Sequence, residues 1–169
     1  MSYEIPDSIA HNSPAAISAR IIEEYNEFVH LKDGEAIILF LMNTEEENQH
    51  GKRILGRCHL PQVQGKLRGV FAWAIESLFG FAPDFIITLD LGYWEDASDE
   101  MREILVFHEL SHCAHKIDRD GEPMFNEDGR PIFSVAPHDV EEFVSTVARY
   151  GAYSEDIRLF MMAAGGKAE

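Results

Sequence analysis

Apolar residues along the chain follow two different spacings, and the alternation between them predicts the order of helices and strands. In residues 14–33 they recur every three or four positions behind Pro14, which is typical of an amphipathic helix. Residues 36–42 form a nearly continuous apolar run and predict a buried strand. Residues 67–79 return to the helical spacing, with Gly80 as a stop.

Two further runs predict strands. Residues 54–63 alternate loosely and contain Pro61, which favours a strand near the edge of a sheet. Residues 85–91 hold an Ile-Ile-Thr-Leu core between turn residues and give the clearest strand signal. Because this strand leads through Trp94 towards the next helix, we expect its edge to accept a peptide by strand addition. Trp94 either lines that cleft or packs in the core.

A helix is predicted after Asp96 or Ser98, either of which can cap it, with acidic residues in its first turn. Residues 104–107 are apolar on every side, so we expect this helix to be central and buried on most faces. Residues 118–137 contain two Asp-Gly turn signals and predict a hairpin or ordered loop. A last helix is predicted from about Asp139.

These elements predict an α+β fold in one domain, a small mixed sheet against a central helix with further helices at the two ends. Its N-terminal part, residues 1–48, has a helix and a strand; residues 49–151 form the core and residues 152–169 a C-terminal tail or helix. At 169 residues the chain is long enough to bury a core without disulfides.

Charge and cysteine content narrow the functional classes. The formal net charge of −16 would repel a nucleic acid backbone, so no nucleic acid partner is expected. The two cysteines form no metal-binding or disulfide pattern. No apolar run is long enough for a membrane span and no secretory signal is recognisable, so we expect a cytoplasmic protein without a membrane partner.

The predicted central helix carries the pattern His108-Glu109-Leu110-Ser111-His112. Two histidines four residues apart lie on one helical face, about 40° round the axis, and both imidazoles can reach one cation, for which Zn²⁺ is the best fit. Glu109 points about 100° away, where it can take a proton from a water activated by the metal. We therefore predict His108 and His112 as ligands of one zinc ion and Glu109 as the catalytic base.

A catalytic zinc needs a third protein ligand. His138, after a hairpin-sized connection, is the first choice. His115 lies about 10 Å along the helix from His108, too far for one tetrahedral ion, and is expected to support or cap the site. Asp118 occupies the position of the last ligand in the metzincin pattern, but His115 replaces the glycine of that pattern.

Two glutamates of the last predicted helix remain alternatives. Glu141 or Glu142 would give a site of two histidines and one glutamate, as in thermolysin-type enzymes. If His138 is the ligand, then Asp139, Glu141 and Glu142 are candidates to orient ligands by hydrogen bonds from behind. Each is also explained as a solvated acidic residue in a first helical turn.

The sequence resembles the phage metallopeptidase family in several segments. They are the stretch from Gly51 to Arg57, Asp84-Phe85-Ile86-Ile87, Trp94, Phe107 to Cys113, Pro137 to Phe143, and Tyr150-Gly151. More loosely the chain is similar to SprT-like and other minimal zincins. The pairing of HExxH with a downstream His-Asp-Val-Glu-Glu-Phe is the more particular feature.

The resemblance implies a zincin-like α+β fold, a bound zinc ion and a gene carried by a bacteriophage or prophage. The predicted function is peptide bond hydrolysis by a zinc metallopeptidase, with a protein or peptide as substrate. The alternative is a zincin-fold binding or structural protein, a virion or host-factor-binding component, in which four protein ligands close the metal. A metal-dependent nuclease is disfavoured by the charge and the ligand types.

Overall fold

The chain consists of two structural units. The computed structural model describes residues 2–7, 10–63, 65–140, 147–149, 151–152 and 154–165. Contacts between Cα atoms divide the chain into Met1–Ala136 and Pro137–Glu169. Within the described residues the fold is mixed α+β, as predicted. The expectation of one domain over residues 1–169, with its three parts, stays a prediction.

The first unit contains eight described strands and five described α-helices. The strands are β1 (Tyr3–Glu4), β2 (Ile38–Asn43), β3 (Glu47–Gln49), β4 (Lys52–Ile54), β5 (Gly56–His59), β6 (Phe85–Asp90), β7 (Cys113–His115) and β8 (Phe133–Val135). The helices are α1 (Pro14–Glu24), α2 (Val29–Asp33), α3 (Arg68–Phe79), α4 (Leu91–Asp96) and α5 (Asp99–Ser111), with short 3-10 turns at Asn26–Phe28 and Gly65–Leu67.

The main sheet has the strand order β1-β2-β6-β5. β6 is parallel to β2 and antiparallel to β5, so both of its edges are paired. Phe85, Ile87 and Leu89 of β6 are completely buried, which accounts for the strong strand signal of residues 85–91. The prediction that a peptide adds to the edge of this strand is therefore wrong, because its main chain is already hydrogen-bonded on both sides.

β5 is the end strand of this sheet in the described part of the chain. This position confirms the edge strand predicted in residues 54–63. The hairpin of β3 and β4 just before it was not predicted. His50 and Gly51 both have positive φ, 52° and 77°, as expected for a two-residue hairpin turn that places glycine second.

The first helical segment is interrupted, whereas the spacing predicted one helix over residues 14–33. Ser13 caps α1 by accepting a hydrogen bond from the Ala16 amide, and α1 ends at Glu24. Tyr25 is extended, at φ −108° and ψ 122°. The break brings the rings of Tyr25 and Phe28 edge-on to Phe107 of α5, at centroid distances of 5.4 and 5.0 Å.

α5 begins at Asp99, and the Ser98 hydroxyl accepts a hydrogen bond from the Met101 amide. Only the face with Leu105, Val106, Glu109 and Leu110 is buried. Ile104 is 55% exposed, so the predicted burial on most faces is wrong. α5 contacts α1 and β5, which cover one side of the helix and leave the other open.

Residues 113–135 form the hairpin or ordered loop predicted for residues 118–137. β7 pairs with β8 antiparallel, and isolated bridges join Ile117 to Pro123 and Phe125 to Pro131. The Asn126 side chain accepts hydrogen bonds from the Asp128 and Arg130 amides and closes the second turn.

The second unit contains the helix α6 (Glu155–Gly165). Glu155 and Asp156 lie in its first turn, where the helix dipole favours negative charge. The last helix predicted from about Asp139 falls largely on residues 141–146, outside the described residues; residues 147–149 are helical. No described helix of either unit is long and apolar enough to cross a bilayer.

Removing side-chain volume from β6 should destabilise the first unit strongly. We expect Ile87→Ala to lower the free energy of unfolding by about 2–5 kcal/mol, because Ile87 is fully buried between paired strands. Ile117→Ala is the matched control, because Ile117 is 61% exposed and its loss should cost less than about 1 kcal/mol. Urea unfolding of both variants measures the difference, and equal losses would contradict this account of the core.

Candidate metal centre

His108, Glu109 and His112 project from two neighbouring sides of α5. His108 and His112 are one helical turn apart, and their ring centroids are 5.1 Å from each other. His108 is exposed, and His112 is half-buried at the C-cap of the helix. Both imidazoles therefore project from the open side of α5, while Glu109 projects from the buried side.

A backbone carbonyl fixes the tautomer of His112. The Nδ1 atom of His112 lies 2.7 Å from the carbonyl oxygen of Ala136. A carbonyl oxygen only accepts hydrogen bonds, so Nδ1 carries the proton and Nε2 keeps its lone pair for a metal. The Ala136 amide also donates to the His112 carbonyl oxygen at 2.8 Å, so two hydrogen bonds tie the chain at Ala136 to the end of α5.

His138 follows Ala136 by only two residues. The potential ligand atoms of His108, His112 and His138 all lie within 4.8 Å of one another. This is the one group of three or more histidine, cysteine or acidic side chains with metal-binding spacing in the described ranges. The three histidines could therefore hold one metal ion.

The structure places the other described candidates outside this group. The Asp118 carboxylate accepts hydrogen bonds from the Asp120 and Glu122 amides, at 2.8 and 3.0 Å, and so holds a turn of the 113–135 hairpin. Asp139 is exposed and is not part of the group of three histidines. Glu141 and Glu142 lie outside the described residues, so their proposed roles stay predictions.

His115 lies in β7 among other rings. Its ring centroid is 5.4 Å from that of His30 and 5.5 Å from that of Phe133. Its Nε2 atom is buried and has no hydrogen-bond partner within the described ranges. Burial, helped by the neighbouring His30, lowers the pKa of His115, which favours the neutral ring. His115 therefore packs within the 113–135 hairpin, against His30 and Phe133, and is not one of the three clustered histidines.

Glu109 is a buried carboxyl with an incomplete set of hydrogen bonds. The residue is 3% exposed, and its Oε2 atom has no hydrogen-bond partner in the described part of the chain. Burial raises the pKa of Glu109 to about 7, against the opposing effect of the positive charge of Arg57. A carboxyl group in this state can exchange a proton near neutral pH, as a general base must.

The two cysteines lie beside this carboxyl. Their Sγ atoms are 3.5 Å apart, and both are free thiols. The hydrogen bond with Cys58 and burial raise the pKa of the Cys113 thiol. A thiol that resists ionisation is a poor nucleophile and a poor metal ligand, so Cys113 serves as a packing residue of the hydrophobic core.

Trp94, which was predicted either to line the cleft or to pack in the core, lies in α4 within the hydrophobic core. It is 9% exposed, the Arg102 guanidinium lies 5.4 Å from its ring centroid, and Arg102 Nε donates to its carbonyl oxygen. Little of the ring is accessible to a substrate, and Trp94 instead joins α4 to α5.

Some functional groups had no readable sequence signal. The Ala136 carbonyl acts through the backbone, so its residue type says nothing about its role. Arg57 affects Glu109 through space and is itself held by ion pairing to Glu47, at 2.7 Å. Arg57 belongs to the segment from Gly51 to Arg57 that carries the family resemblance. This was the one sign in the sequence that Arg57 has a functional role.

The donor set fits a zinc ion. Three imidazoles suit borderline metals such as Zn²⁺, and three protein ligands leave a fourth tetrahedral position for a reactant. The Oε2 atom belongs to Glu109, the residue next to His108, and has no hydrogen-bond partner among the residues that the structure describes. A buried acceptor in this condition is costly unless a ligand or water satisfies it.

Comparison with protein families assigns the chain. The family model described as "Putative phage metallopeptidase" matches residues 7–164, so the chain belongs to this family. The match covers both structural units and all three histidines. No curated protein and no solved structure matches the chain.

Glu109→Gln should stabilise the metal-free protein at alkaline pH. The folded-state pKa of about 7 exceeds the usual 4.5, so the folded carboxyl holds its proton more tightly than the unfolded one. The contribution of Glu109 to the free energy of unfolding is therefore most favourable below pH 4.5 and is lost as the pH rises towards 7. We expect the stability gain of Glu109→Gln over wild type to be about 2 kcal/mol larger at pH 8 than at pH 5.

Urea unfolding of the chelator-treated proteins at the two pH values measures this difference. Glu100→Gln is the control, because Glu100 is an exposed carboxyl in the first turn of the same helix. An equal effect of Glu109→Gln at both pH values would contradict the raised pKa.

Proposed function

We propose that this protein is a zinc-dependent metallopeptidase in which His108, His112 and His138 hold the metal and Glu109 is the general base. The observation that carries the proposal is the approach of three imidazoles to within 4.8 Å on the exposed side of α5, with a buried carboxyl of raised pKa at the next position along the helix. Membership of a phage metallopeptidase family supports a peptidase encoded by a phage or prophage.

Zinc, when bound, supplies a Lewis acid that makes water more acidic and polarises a substrate carbonyl. Glu109 takes the proton of the attacking water on its unpaired Oε2 and delivers it to the leaving amine nitrogen. The Ala136 carbonyl keeps Nδ1 of His112 protonated, which directs Nε2 to the metal and makes the ring a better donor. In the metal-free protein, burial raises the pKa of Glu109 to about 7.

The substrate is a protein or peptide, and we propose that its main chain adds to β5. β5 is the end strand of the described sheet and contacts α5, which carries the site. Strand addition would hold the peptide through main-chain hydrogen bonds. This surface replaces the edge of β6 that the sequence had suggested.

Zinc retention by alanine variants tests whether His138 is the third ligand. We expect the wild-type protein to bind a single zinc ion. His138→Ala removes a direct ligand, so we expect it to weaken zinc binding by more than the roughly 10- to 100-fold lost when a residue that only hydrogen-bonds to a ligand is removed. The matched control is His11→Ala, which removes an exposed histidine outside the group. Zinc retention by His138→Ala at the wild-type level would contradict the ligand assignment and would favour Glu141 or Glu142.

Peptide cleavage tests the base. We expect Glu109→Gln to keep its zinc and to lose at least about 100-fold in kcat, because general base catalysis contributes roughly 10²- to 10⁴-fold. Glu100→Gln on the same helix should cleave like wild type. A peptide library measures the rates, and equal cleavage by Glu109→Gln would remove Glu109 from the mechanism. Zinc binding by a wild-type protein that cleaves no peptide would favour the non-catalytic binding or structural role.

A further inference from the structure

The backbone of β5 passes directly over the Glu109 side chain at Gly56. A methyl group added at Gly56 would lie 2.7 Å from Cδ and 2.9 Å from Cγ of Glu109, and closer still to Oε1. Distances below 3.0 Å are too short for carbon atoms in contact, so the position has no room for any side chain beside the present carboxyl. Gly56 has no positive φ, so the glycine is needed for space and not for backbone conformation.

The strand cannot easily move away to make that room. Gly56 is in register with Leu89 of β6, which is fully buried. The Asp90 amide donates to the Leu55 carbonyl oxygen at 2.8 Å, immediately before Gly56. Arg53 makes a two-pronged ion pair with the buried Asp90, at 2.6 and 2.8 Å, and anchors the preceding strand.

The Glu109 side chain is therefore the group that would have to yield. It is 3% exposed, so a carboxylate displaced from its present position would press against other buried groups. The helix cannot retreat either, because Val106 and Leu110, which flank Glu109 along α5, are completely buried. A larger residue at position 56 would turn the carboxylate away from its present direction.

We propose that Gly56 is a positioning residue, which sets the direction of the Glu109 carboxylate by bringing the bare backbone of β5 against it. This inference rests on the proposed function and names the residue that makes its base effective. Gly56 also connects β5, the strand proposed to hold the peptide, with Glu109, the group proposed to take the proton of the water.

The test compares Gly56→Ala with Gly69→Ala. Gly69 lies in α3 with negative φ and open space where a Cβ would be placed, so it is a matched glycine outside the site. We expect Gly56→Ala to keep its zinc and to lose about 100-fold or more in kcat, with KM within about threefold of wild type, because misplacing a catalytic group by about 1 Å has that cost. Gly69→Ala should retain wild-type kcat. A kcat within threefold of wild type for Gly56→Ala would overturn the proposal.

A stability cycle tests the same contact without using activity. We expect Gly56→Ala to lower Tm by at least about 3 °C when Glu109 is present, because overpacking destabilises a core. In the Glu109→Ala background the added methyl group meets no carboxylate, and the shift should vanish. Equal shifts in both backgrounds would overturn the contact.

The two measurements separate this inference from the proposed function. A wild-type protein without zinc or cleavage contradicts the metallopeptidase, while the stability cycle still decides whether Gly56 holds Glu109. An active wild type with an equally active Gly56→Ala contradicts the positioning role alone.

Discussion

The burial of one carboxyl group is the constraint on which the site depends. α5 turns Val106, Glu109 and Leu110 towards the interior together, so the helix cannot bury its apolar residues without burying Glu109 as well. The carboxyl loses hydration, its Oε2 atom lacks a hydrogen-bond partner among the described residues, and its pKa rises to about 7. The same orientation of the helix leaves His108 and His112 on the open side. Fold stability and site chemistry therefore oppose each other at one residue.

The rest of the first unit holds α5 in that orientation. Tyr25 and Phe28 place their ring edges on Phe107, and Arg20 pairs with Glu103 at 2.7 Å, so the α1 side fixes the rotation of the helix. β5 lies against Glu109 and is joined to β6, one of the two interior strands of the described sheet. At the end of α5 the chain is tied back through the two hydrogen bonds between His112 and Ala136, just before His138. Contacts on three sides thus determine the direction of a few polar side chains.

Parts of this arrangement could be predicted from the sequence because they depend on local spacing. The four-residue interval of His108 and His112 fixes their common face on any helix, and the short run of residues 85–91, rich in β-branched residues and bounded by turn residues, favoured a buried strand. The strand order could not be predicted, because pairing depends on contacts between distant residues. The edge of β6 was therefore expected to be free for a peptide, whereas β5 pairs with it. The role of Gly56 and of the Ala136 carbonyl had no signal, since one acts by the absence of a side chain and the other through the backbone.

X-ray absorption at the zinc edge tests the central claim, a zinc ion held by three imidazoles with one position open, most directly. The zinc-loaded protein should show three imidazole nitrogens and one further oxygen donor at about 2.0–2.1 Å, without sulfur. His138→Ala, loaded with zinc at high concentration, should show one imidazole fewer. A sulfur neighbour at about 2.3 Å, from Cys58 or Cys113, or only two imidazoles in the wild-type protein, would contradict the account.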